Sequence, residues 1–203
     1  MKHWLTLRNE FGKQLGKLTM TFDSTPIPAV RRAMVGFRAP WHVVGGWAVD
    51  LHLRRITRQH HDIEVAIFRD DQLELIRHFD GQAEITWQQA GSWYAWDPGH
   101  LLVHPLHQIR LCTTQGLEFD VLLNDREGDE WIYRRDRRVR RSLTHFSMGA
   151  GDPYPAEILL LYKARDTRPQ DRMDHCLLSP QLTPEQSAWL RQALDIAHPT
   201  SSW

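Results

Sequence analysis

Cysteine is nearly missing from this chain. Cys112 and Cys176 are its only two, too few and too widely spaced for a disulfide framework or a CxxC metal site, so a reducing cytoplasm is the expected setting. No apolar run approaches the roughly 18 residues of a membrane span, and the opening MKHWLTLRNEFGKQLGKL has no signal-peptide core, so no membrane partner is expected. Net charge is missing too: 25 basic residues balance 25 acidic ones, which does not point to nucleic acid as a partner. Internal repeats and low-complexity tracts are also lacking. What is left is an ordinary globular composition, 41% hydrophobic and 25% charged over 203 residues, enough for one domain with a sizeable core. Nine tryptophans and twelve histidines are the excess, read either as scattered surface aromatics or as a stacking cleft.

Residues 1–25 are weakly patterned and are expected to form a poorly ordered extension. Pro26–Phe37 reads as a short helix, with Ile27, Val30, Met34 and Phe37 at helical spacing. Trp41–Val44 reads as a short buried strand stopped by Gly45 and Gly46, and Trp47 to Arg55 as a helix packed on it. His61–Phe68 alternates, placing Ile63, Val65 and Ile67 on one face and Asp62, Glu64, Ala66 and Phe68 on the other. Asp70 is the expected N-cap of a helix through Phe79, and GSWYAWDPGHLL an aromatic-rich connection. Gln108–Thr113 and Leu117–Leu123 form an expected hairpin around Thr114–Gly116, and helices are expected over 155–166 and 184–197. The predicted architecture is α/β (α+β): a mixed sheet flanked by helices over 26–145, with a helical C-terminal part over 146–203.

The chemistry concentrates in VVGGWAVDLHLRRITRQHHDIEVAIF, residues 43–68. On a strand, Asp62 and Glu64 project side by side, and two such carboxylates repel unless a proton or a divalent cation intervenes. Oxygen-only ligands favour Mg²⁺ or Mn²⁺ over zinc. LEFDVLL supplies a third acid, Asp120, on a neighbouring strand, with Glu118 as its substitute. A solvated outer face would explain Asp62 and Glu64 alone. The Gly45–Gly46 turn weighs against that, because glycines at a strand-to-helix turn let backbone N–H groups approach a phosphate.

The run GGWAVDLHLRRITRQHHDIEV resembles the nucleotidyltransferase signature, a glycine turn followed by an acid–apolar–acid strand. More narrowly it resembles the aminoglycoside 2''-adenylyltransferase-like branch, which reads close to GGWAxDxxxGRxTRxHxDID. PAEILLLYKAR, Gln170–Asp171–Arg172–Met173–Asp174, WLRQAL and the terminal HPTSSW extend the likeness over roughly residues 26–203. Arg54 stands where a glycine is usual, Glu64 where an aspartate is, and Gln170 where a lysine is.

That resemblance implies a metal-dependent transfer of a nucleoside monophosphate, AMP from ATP, to a hydroxyl of a small acceptor, an aminoglycoside in the nearest branch. Asp62 and Glu64 would hold Mg²⁺, Asp120 would share a second metal and take the hydroxyl proton, and Gly45–Gly46 would hold the triphosphate tail. Arg58 and Lys163 are the candidate phosphate-binding cations, each with a solvated surface position as its alternative, while Asp50 is expected to be structural. His60–His61 lack a partner at zinc-ligand spacing. RRDRRVRR, residues 134–141, reads as a charged edge strand more readily than a nucleic-acid grip, and Trp93, Tyr94 and Trp96 as loop packing or an acceptor wall. Modification of protein or RNA, and a silent nucleotide-binding module of the same fold, are the competing functions.

Overall fold

A computed structural model describes residues 25–97, 99–147 and 149–203; the expectation for residues 1–24 lies outside the described residues. The elements in chain order are α1 (Ile27–Ala33), β1 (Trp41–Val43), α2 (Gly45–Leu53), β2 (Glu64–Phe68), α3 (Gln72–Phe79), β3 (Ala83–Gln89), β4 (Ser92–Ala95), β5 (Gln108–Thr113), β6 (Glu118–Glu127), β7 (Glu130–Ile132), β8 (Arg140–Ser142), β9 (Asp152–Pro153), α4 (Ala156–Lys163), α5 (Pro169–Leu178) and α6 (Pro184–Ala197). The sheet runs β4-β3-β5-β6-β2-β1-β9, with β7 paired to β6 and β8 to β7. The β2–β6 and β1–β9 pairs are parallel and the rest antiparallel, so the sheet is mixed, as expected.

The central pair β2 and β6 positions the site. Their register sets Glu64 opposite Asp120 and carries on through Phe68 opposite Asn124. Val65, Ala66, Ile67 and Phe68 are all buried, so β2 is covered on both faces, as a central strand in a parallel pair must be. The expected alternation over His61–Phe68 is therefore corrected: the strand starts at Glu64, and Asp62 lies just before it, exposed. Helix α4 is buried over Ala156–Leu161, which makes it the apolar centre of the C-terminal part.

Three other expectations shift. Asp71, not Asp70, occupies the N-cap position of α3; Asp70 lies in the preceding 3₁₀ turn and pairs with Arg126 at 3.3 Å. The aromatic-rich connection contains β4, an edge strand whose four residues are all exposed. The arginine run is mostly a turn, and only Arg140–Ser142 is strand.

Arg54 explains its own oddity. It ends α2 in the left-handed region, φ 52°, with Arg55 N–H bonding Asp50 C=O and Arg54 N–H bonding Leu51 C=O. This is a Schellman motif, whose left-handed residue is usually glycine because a side chain there is strained. Arg54→Gly is expected to raise stability by up to about 1 kcal/mol, net of the entropy glycine adds to the unfolded chain, visible as a higher Tm.

Candidate active site

The site grows from the β1–α2 turn. Val44 N–H bonds the Glu64 carbonyl, and the Trp47 indole N–H bonds the Asp62 carbonyl at 3.0 Å, so α2 fixes the backbone on both sides of the acids. Gly45 has φ 67°, and a Cβ there would strike the Glu64 carboxylate; a Cβ at Gly46 would strike His60 Nδ1 and the Arg58 guanidinium. The missing side chains thus make room for the site's own carboxylate, imidazole and guanidinium. The sequence expectation was room for a ligand's phosphate.

Asp50 is fully buried and structural, as expected. Its Oδ1 accepts from Thr57 N–H at 3.1 Å and from the Thr57 hydroxyl at 2.5 Å, and its Oδ2 meets His60 Nε2 at 2.6 Å. Asp50 therefore aims His60, which packs at a tilt against Trp47 with ring centroids 4.3 Å apart, across the mouth of the glycine turn. The sequence presents His60 only as a candidate zinc ligand without a partner at ligand spacing. Its spacing after Thr57–Arg58 was the signal for a different role.

A cavity of about 640 Å³ opens here, lined by Gly45, Gly46, Asp62, Glu64, Arg58 and Lys163 and continuing along β6 to Asn124 and the arginines 134 and 135. Its cations are held from behind. Lys163 Nζ lies 2.8 Å from Asp174 and 3.1 Å from Asp171, and Arg58 reaches Asp174 at 3.3 Å. Arg168, also in the wall, forks onto Asp171 through Nε at 2.8 Å while its backbone N–H bonds the same carboxylate. Burial first, then the Asp62 and Asp120 carboxylates, push Glu64 up to about 7, with Lys163 and Arg168 opposing. Crowded acids beside cations are a receptive place for a charged ligand.

Asp120 is the exception. It is buried one side chain behind the cavity wall, with Oδ2 accepting from Gln108 at 2.9 Å and both oxygens engaged by Arg110 at 2.8 and 3.2 Å. Arg110 is itself stacked on Trp93, 4.2 Å from the ring centroid. Among the described residues no three acids, histidines or cysteines converge as a ready-made metal cage. The oxygen donors of Asp62 and Glu64 fit a hard divalent cation all the same, because Mg²⁺ commonly takes one or two carboxylates and completes its shell with phosphate and water. Trp93, Tyr94 and Trp96 do not line the cavity; Tyr94 stacks on Trp87 and Trp93 on Arg110.

Comparison with known proteins agrees with this architecture. The fold is similar to the solution structure of antibiotic-resistance factor ANT(2'')-Ia, with a TM-score of 0.54 and 18% identity over 85% of this chain and 92% of that one. It is also similar to the lincosamide antibiotic adenylyltransferase LnuA, solved with lincomycin bound, with a TM-score of 0.52 and 15% identity over 75% of this chain and 94% of that one. No curated protein matches the chain. The model of the aminoglycoside-2''-adenylyltransferase family matches residues 27–147, which include the glycine turn, Glu64 and Asp120. With more than half of its length matched, the glycine turn and the acids of the site among it, this chain belongs to that family.

Proposed function

We propose that the protein transfers AMP from ATP to a hydroxyl of a small acceptor. The observation that carries this reading is the Glu64 carboxylate seated against Gly45, facing Asp62, in a cavity whose wall presents Arg58, Lys163 and Arg168. Three cations beside two acids match a nucleoside triphosphate bound with its counter-ion. Asp62 and Glu64 would hold Mg²⁺ or Mn²⁺, which when bound neutralises charge on the phosphate oxygens.

The chain's own groups orient the reactants. Arg58 and Lys163, braced by Asp174, grip the triphosphate tail, and His60, fixed by Asp50, closes the same end. The acceptor oxygen forms a bond to the α-phosphorus as the bond from that phosphorus to the bridging oxygen breaks and pyrophosphate leaves. The hydroxyl proton passes to Asp120, which must first exchange its bond from Gln108 for one from the substrate. Positioned proton acceptors of this kind contribute roughly 10²–10⁴-fold.

Incubation with α-labelled ATP and Mg²⁺ tests the reading against small hydroxyl compounds, tRNA and the protein itself. Label is expected on a small acceptor. Asp62→Asn and Asp120→Asn are each expected to cut transfer about 100-fold or more. Label on RNA or on the chain itself would establish a competing function instead, and ATP binding without transfer to anything would mark a silent module. Undiminished transfer by either variant would remove that acid from the mechanism.

A further inference from the structure

Asp120 is held by two donors from one strand, and they stand in different places. Gln108 and Arg110 lie two apart on β5, so both side chains project from the sheet face that carries Asp120 and Glu64. Gln108 lines the cavity and covers Oδ2 from that side at 2.9 Å. Arg110 lies outside the cavity lining, directly opposite Asp120 in the β5–β6 register. It grips both oxygens, Nε to Oδ1 at 2.8 Å and Nη2 to Oδ2 at 3.2 Å.

The grip is itself braced. The remaining guanidinium nitrogen, Nη1, reaches Glu118 at 3.3 Å, and the guanidinium lies over the Trp93 ring. Two parallel bonds from one planar fork fix the plane of a carboxylate, which a single point charge does not. Stability is a poor reason for so much bracing, because the Arg110 side chain is 32% exposed and an ion pair open to solvent contributes little. Charge is a poor reason too. A cation beside a proton acceptor weakens it as a base, although general-base catalysis passes only part of that loss to the rate. Misplacing a reacting group by about 1 Å, by contrast, costs on the order of 100-fold. When Gln108 yields its bond to an acceptor hydroxyl, Arg110 is the one side chain among the described residues still bonded to Asp120.

We infer that Arg110 is a positioning residue for the transfer step: its fork, braced by Trp93 and Glu118, keeps the Asp120 carboxylate in place to take the hydroxyl proton while Gln108 gives way. The inference rests on the adenylyl-transfer reading with Asp120 as the proton acceptor.

The test is a double-mutant cycle on the full chain, comprising Arg110→Lys, Asp120→Asn and the two together. Its readout is transfer of label from α-labelled ATP, with Mg²⁺ present, to kanamycin. Lysine keeps a charge beside Asp120, so the buried carboxylate stays paired, but it loses the fork. Arg110→Lys is expected to lower kcat about tenfold and to leave KM for ATP within about twofold of the parent. In the Asp120→Asn background the same change is expected to alter kcat by less than about twofold, because a group that acts through Asp120 then has nothing to position. An equal loss in both backgrounds would mean that Arg110 acts on the substrate directly, and would overturn the inference. A kcat at or above the parental value in Arg110→Lys would overturn it as well, leaving the grip a structural pair or a brake. If Asp120→Asn cuts transfer while Arg110→Lys is inert, the inference fails and the transfer reading stands. Undiminished transfer by Asp120→Asn, or a parent chain that labels no acceptor, overturns both.

Discussion

Glu64→Gln is expected to slow adenylyl transfer roughly 10²–10³-fold while making the metal-free protein more stable. Glu64 is raised from 4.5 to about 7 by burial and by its acidic neighbours Asp62 and Asp120. The folded state therefore holds a proton that the unfolded chain releases between those two values. Stability falls as pH rises through that window, and above pH 7 the charged carboxylate costs its full amount, up to about 3 kcal/mol. Glutamine removes this cost but also an anionic metal ligand, for which a loss of roughly 10²–10³-fold in rate is the scale of one electrostatic contact at a reacting centre. Thermal melts at pH 8 in chelator should place the variant above the parent chain, and at pH 4 the gap should close. Added Mg²⁺ should raise the Tm of the parent and leave the variant unmoved. A variant that is less stable at pH 8, or that still transfers AMP at the parental rate, would show that Glu64 is not the crowded ligand described here.

The core of this arrangement was legible in the residues because it obeys period rules. β5 is found as expected, β6 begins within a residue of its expected start, and α6 has its expected bounds, since alternation, a glycine turn and the Thr183–Gln186 capping box mark them locally. Helix α5 carries no apolar signature in the sequence, for a physical reason. Its buried positions are Asp171, Asp174 and Leu178, so the face it turns inward is acidic, and a search for apolar periodicity passes over it. β4 escaped because all its residues are exposed and its pairing to β3 is the only thing that makes it a strand. The glycine pair was recognised as special, but what its missing side chains make room for depends on Glu64, His60 and Arg58, which no local pattern could place. Arg110 on Asp120 is a cross-strand pair, Arg110 opposite Asp120 in the β5–β6 register, so it was implicit once the hairpin was drawn and could have been found. The place of Arg134 and Arg135 in the cavity wall could not, because they lie in a run whose other arginines pair elsewhere: Arg137 with Glu127, Arg138 with Asp136, Arg140 with Glu130, Arg141 with Glu157.

The acidic face of α5 leads to the second large effect. Asp174→Ala is expected to cost about 3 kcal/mol and to weaken ATP use by roughly 10–100-fold through KM. Asp174 is fully buried and is shared by Lys163 and Arg58, two cations from opposite ends of the chain that converge on it. Removing it leaves Arg58 without an anionic partner and Lys163 with Asp171 alone, and breaking a buried pair from one side typically costs 3–5 kcal/mol. Both cations face the non-reacting part of the triphosphate in the proposed mechanism, so their misplacement removes binding common to ground and transition states. That appears in KM and spares kcat. Asp174→Asn, which keeps the shape and one acceptor oxygen, should fall between the two. Measured at a temperature where every variant is folded, an unchanged KM for ATP with kcat reduced would mean that Lys163 and Arg58 act on the reacting centre. No change in either parameter would mean that Asp174 serves the fold alone, and that the phosphate grip lies with Arg168 and the α2 turn.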